Sequence, residues 1–192
     1  VRKWKRVDGP AGPRFRSSLA AHEAALLRNL VTSMVEMLAD RESSAPSDEL
    51  ADITGIRTGH SQPPEDETMK RLLPDFYRSR SEHPAGATAA ESLNRALRSL
   101  HEPTIIDAKR EAAQRLLATL PEGGGKLELV EADAQAWASA VNDVRLALGT
   151  MLDIGPDGLD RLPPEHPMAG HLDVYQWLTV LQEYLVLGMM GR

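Results

Sequence analysis

The chain has 192 residues, 42% of them hydrophobic and 26% charged, which fits one globular domain and excludes a wholly disordered chain, a collagen or a coiled-coil rod. It contains no cysteine, which removes disulfides, thiolate metal sites, cysteine nucleophiles and thiol redox switches from these residues. A net charge of -6 makes it a poor general binder of nucleic acid, because phosphate contacts need a basic face. Aromatic residues are only 4%, so aliphatic side chains must fill the core.

Residues 3–7 and 14–19 read as short strands around the turn formers of Asp8–Pro13, which predicts a hairpin. A long helix follows over 20–41, with Leu27, Val31, Met34 and Leu38 at helical spacing. Residues 43–66 are polar and acidic and predict a surface loop with one short helix near 47–53. A short helix over 66–73 stops before Pro74, and 78–87 reads as a second surface loop. Helix 88–101 presents Leu93, Leu97 and Leu100 on one face. Pro103 suits the first turn of a separate helix running to Leu120, with Ile106, Ala113, Leu117 and Leu120 as its stripe. His101-Glu102-Pro103 then forms a helix–helix corner, its polar side chains capping helix ends.

Residues 126–130 alternate as a third strand, and helix 131–152 follows with Trp137, Val141, Val144 and Leu148 as its stripe. After a Gly- and Pro-rich loop (153–170), a helix over 170–190 is apolar nearly all round, which predicts a central position or a covering partner. Phe15–Met34 and Gly125–Val144 align without gaps at an offset of 110 residues, pairing Leu19 with Leu129, Ala24 with Ala134 and Val31 with Val141. The pattern predicts a mainly α fold. It is a single-domain helical bundle (1–192) of five to six helices with a small two- to three-stranded antiparallel β-sheet from the N-terminal hairpin and residues 126–130.

Motifs for chemistry are scarce. His22-Glu23 opens a helix like a zinc-protease motif, but Leu26 stands where the second histidine must be. Gly123-Gly124-Gly125-Lys126 lacks the spacing and the hydroxyl of a phosphate loop. Asp153–Asp160 fails the calcium-loop spacing, and His166 and His171 have no third ligand nearby. No catalytic, cofactor or metal residues are assigned. Two charged features remain as candidates. Arg2, Lys3, Lys5, Arg6, Arg14 and Arg16, opposed by Asp8 alone, form a basic segment able to contact a partner protein or DNA. Asn142, Asp143 and Arg145 form a polar cluster mid-helix, with Arg145 placed to meet a carboxylate at a helix seam.

Leu100–Pro103, Asn142–Gly149 and His171–Leu185, with Trp4, Phe15, Glu23 and Leu27 at the start, resemble an actinobacterial family long known as a domain of unknown function. Some of its members are oxidative-stress transcriptional regulators of the AosR type. The resemblance covers essentially the whole chain. It implies a non-enzymatic regulator acting by contact with a sigma factor or RNA polymerase. The family's disulfide sensing cannot be carried over to a chain without cysteine. The alternative is a homodimeric helical scaffold or adaptor, linked to Clp proteolysis, with the last helix at its seam. The most apolar stretch, Trp177–Met190, is too short to span a bilayer, so the expectation is a cytoplasmic protein without a membrane partner.

Overall fold

The computed structural model describes residues 2–10, 12–46, 55, 57–77, 84–155 and 167–191. They form β1 (Lys5–Gly9), β2 (Gly12–Leu19), α1 (Ala21–Ser43), α2 (Glu67–Leu72), α3 (Pro84–Thr119), β3 (Gly125–Val130), α4 (Glu131–Met151) and α5 (Ala169–Met189). The fold is mainly helical with one three-stranded antiparallel sheet of order β1-β2-β3. The short helix expected near 47–53 lies outside the described residues, as do most of the 78–87 and 153–170 loops. The chain divides into two compact units, Val1–Val35 with Lys109–Arg192, and Glu36–Ala108.

In the first unit, Gly9 pairs with Gly12, and Phe15 pairs with Leu129. Residues facing each other across antiparallel strands share a face, so alternation buries Phe15, Leu19, Leu127 and Leu129 on the inner side. The stripes expected for the two long helices are the ones buried: Leu27, Val31 and Met34 on α1, and Trp137, Val141, Val144 and Leu148 on α4. Each fully buried aliphatic side chain contributes roughly 1.5–3 kcal/mol. Small residues let α4 and α5 approach: Ala134, Ala140 and Ala147 are buried, and a Cβ on Gly149 would stand 3.2 Å from the Tyr175 ring. The Trp137 indole donates to Thr119 Oγ1 at 2.7 Å and meets Trp4 edge-on, 5.7 Å between centroids. Helix α1 opens with half of a capping box, Glu23 reaching back to accept the Ala20 N–H at 2.7 Å.

Helix α5 is not enclosed as its composition suggests. One face is buried (Leu172, Leu178, Leu181, Leu185), while Val186 stands exposed, as does Met190 just past its end. Gly188 lets the Trp4 side chain sit 3.2 Å from where a Cβ would be. At Gly124, φ is +79° and a Cβ would lie 2.7 Å from the backbone of Ala20 and Ala21, so only glycine fits the approach to β3.

In the second unit, the expected break at Pro103 does not occur. Helix α3 runs unbroken from Pro84 to Thr119 with Pro103 inside it. A mid-helix proline withdraws the N–H that would bond to the carbonyl four residues earlier, at Ser99. Here that carbonyl accepts the N–H of Gly59 at 2.8 Å. Gly59 also lies against the proline ring, where a Cβ would come within 2.9 Å of Cγ. The segment around Gly59 therefore supplies the missing donor. The corner with polar caps is replaced by a docking point for a loop. Leu93 and Leu100 are exposed, and the buried positions of this stretch of α3 are Ala90, Arg98, Glu102, Pro103 and Ile106.

This arrangement predicts an asymmetry between the two sides of the contact. Gly59→Ala must push the loop off the proline ring and is expected to cost about 1–3 kcal/mol, by the usual cost of overpacking. Pro103→Ala restores an intrahelical donor for Ser99 and is expected to leave α3 intact while amides near Gly59 exchange faster. Urea denaturation and hydrogen exchange of both variants measure the difference.

Candidate functional site

The structure separates the six N-terminal cations. Lys5 faces Arg16 across β1 and β2, and Arg14 and Arg16 alternate with buried Phe15, so these three lie on the solvent face of the sheet. Arg16 forms an ion pair with Glu128 of β3. Arg6 points to the opposite side of β1, where it donates to Asp8 at 2.8 Å and to the Met189 carbonyl at 3.2 Å. Lys3 lies over the Tyr184 ring at 5.8 Å. Arg2 accepts a bond from Ser17 Oγ through its carbonyl. Lys126, which stands opposite Ser18 on β3, joins the solvent face; its signal in the sequence was its alternation with Leu127 and Leu129.

The strongest charge cluster escaped the sequence reading. Arg98 and Glu102 are each 1% exposed, and Arg98 donates to Glu102 at 2.8 Å, to the Leu73 carbonyl at 3.0 Å and to Asp75 at 2.9 Å. Arg41 donates to the other oxygen of Glu102 at 2.8 Å and to the Gln62 carbonyl at 2.6 Å. His60 reaches the Arg41 carbonyl at 2.8 Å. One buried carboxylate thus holds two guanidinium groups, and these in turn hold the segments around Gln62 and Leu73. The i,i+4 spacing of Arg98 and Glu102 was the available signal, masked by the leucine stripe beside it. A cleft of about 440 Å³ opens nearby, lined by Gln62, Asp75, Tyr77, Asn94, Arg95 and Arg98. Of its polar side chains, Asn94 bonds the Tyr77 backbone twice and Arg95 pairs with Glu91. These charges position the segments around Gln62 and Leu73.

Asp143 and Arg145 of the α4 cluster take different partners. Asp143, 6% exposed, accepts from Lys109 at 2.7 Å. Burial pushes its carboxyl above the ordinary range, against the opposing pull of Lys109. Arg145 reaches the α4–α5 seam as expected, but its partners are Gln182 and Tyr175 rather than a carboxylate. Its guanidinium also stacks over the Tyr175 ring at 5.4 Å. No hydrogen bond ties Asn142 to either neighbour among the described residues. Among those residues, too, no three His, Asp or Glu side chains gather as a metal site, and no helix is long and apolar enough to cross a membrane.

Comparison with known proteins gives a consistent result. Residues 1–189 match the family described as a domain of unknown function, DUF2017. The oxidative stress regulator AosR of Mycobacterium tuberculosis H37Rv is 65% identical over all of this chain and 89% of its own length, and the same protein of Mycobacterium bovis matches equally. A Mycobacterium leprae relative is 60% identical over the same span. No solved structure matches the chain.

Two outcomes follow from the buried charges. Glu102→Gln leaves Arg41 without a carboxylate and Arg98 with Asp75 alone, and is expected to lose about 3–5 kcal/mol. Adding Arg98→Met to Glu102→Leu is expected to recover part of that loss, as read by urea denaturation. For Asp143 the raised carboxyl sets the sign. Below the unfolded pKa both states are protonated and its contribution is whole. As pH rises through the folded pKa, the folded state must bury a charge and that stability is lost. The stability of the native chain minus that of Asp143→Asn should therefore fall between pH 3 and pH 7, values that bracket the ordinary range of about 3.9. A difference that rose over this interval would mean that Lys109 wins.

Proposed function

Because the chain belongs to the DUF2017 family and is related over its whole length to oxidative stress regulators, we propose that it regulates the oxidative-stress response without catalysis, by protein–protein contact. Its partner is the transcription machinery, a sigma factor or RNA polymerase itself. Any DNA contact through Arg2, Lys3, Lys5, Arg6, Arg14 and Arg16 assists that protein contact.

The observation that carries this reading is where cations are engaged and where they are not. Arg41, Arg98, Lys109 and Arg115 are tied to carboxylates inside their own units. Lys5 and Arg14 have no carboxylate partner among the described residues and stand on a folded sheet. Control by oxidant cannot pass through a thiol in these residues. The second reading is a homodimeric scaffold or adaptor, favoured by exposed Val186 and Met190 at the end of α5.

Affinity capture from a mycobacterial lysate, with and without peroxide, separates the two. Enrichment of a sigma factor or polymerase subunits, unchanged by peroxide, is the expected result. Return of only the chain itself or of Clp components would favour the scaffold.

A further inference from the structure

We propose that the solvent face of the β1–β2–β3 sheet is a docking surface for an acidic protein segment whose carboxylates are spaced by apolar residues. The proposal rests on the regulatory-contact reading and names the surface and the chemistry of its partner.

The register defines that face row by row. Val7, Arg14 and Val130 form one cross-strand row, Lys5, Arg16 and Glu128 the next, and Ser18 with Lys126 the third. The inner side of the same strands carries Phe15, Leu127 and Leu129, all buried. The outer face therefore holds Lys5, Arg14, Arg16 and Lys126 against Glu128 alone. Arg16 takes Glu128, and the other three have no carboxylate partner among the described residues.

This arrangement works against folding. Lys5 stands directly opposite Arg16, and like charges across a strand pair repel. The chain has carboxylates to spare, with 28 acidic residues against 22 basic, yet only one is placed on this face. An uncompensated patch on a net acidic chain attracts an acidic partner and sets its approach.

The lining also selects between partner classes. Sheets that bind single-stranded nucleic acid offer aromatic rings for base stacking. The three rows contain no ring. Val7 and Val130 flank Arg14 instead, and Val7 is 39% exposed, so the face alternates cation and methyl groups. Duplex DNA would meet a few cations on a chain of net charge -6. An extended peptide matches the strand repeat, and β1 is an open edge along which it can lie.

The test is an NMR titration of the full chain with two probes: a short synthetic peptide alternating glutamate and valine, and a duplex DNA oligonucleotide of equal charge. The expected result is peptide-induced shifts confined to β1, β2 and β3. Binding should weaken about tenfold or more in the neutral variant Lys5→Gln/Arg14→Gln/Lys126→Gln and at high salt, and remain unchanged in Lys70→Glu. Amide shifts outside the sheet, unchanged affinity in the neutral variant, or tighter binding of DNA than of peptide would overturn the proposal. If lysate capture returns no polymerase while the sheet still binds the peptide, the partner's identity fails and the surface stands.

Discussion

Pairing between β2 and β3 is the contact on which the first unit depends, because it joins positions 106 to 116 residues apart and decides which side chains face in. Phe15 against Leu129 and Ser17 against Leu127 set the register. A slip of one residue would leave Phe15 inside but turn Leu127 and Leu129 to solvent and bring Lys126 and Glu128 to the core. The basic face and the apolar core are therefore one decision, made by the alternation of two short strands.

The same pairing explains the internal likeness at an offset of 110. Ser17 pairs with Leu127, its own counterpart, and the antiparallel register runs symmetrically outward from there. Two equivalent strands that pair antiparallel about equivalent positions are related by a local two-fold axis. Each strand then leads directly into a long helix, α1 or α4. Leu19 and Leu129, Ala24 and Ala134, Leu27 and Trp137, and Val31 and Val141 are buried as pairs. The polar positions have diverged. Glu23 binds the Ala20 N–H and the Trp177 indole, whereas Asp133 takes Arg115.

Most of this unit was legible in the sequence because period two and period 3.6 are local signals. The strands, the helix stripes and the three-stranded antiparallel sheet follow from them. The second unit was not legible in the same way, since its logic is a compensation between distant residues. Pro103 reads locally as a helix start, and only a donor from Gly59 lets the helix continue. Leu93, Leu97 and Leu100 read locally as a buried face. Arg98 and Glu102 take the interior because each satisfies the other, with Arg41 and the Leu73 carbonyl completing their bonds. A periodicity of apolar residues carries no information about a buried ion network. A charged pair four residues apart is usually a surface feature worth only a few tenths of a kcal/mol.

Buried and exposed cations in this chain obey different constraints, and the contrast bears on function. Arg98 and Arg41 share a buried carboxylate whose removal would strand Arg41 and leave Arg98 only Asp75, so their positions answer to the fold. Lys5 and Lys126 are exposed and Arg14 is half-buried on the same face, and among the described residues no carboxylate answers any of the three. Natural edge strands do carry lysines to prevent edge-to-edge pairing, and Lys5 on β1 serves that end. Lys126 lies on β3, the other edge strand, and serves the same end, whereas Arg14 on the central strand guards no edge. Edge protection thus accounts for Lys5 and Lys126 but not for Arg14, whereas the proposed recognition of an acidic surface accounts for all three together.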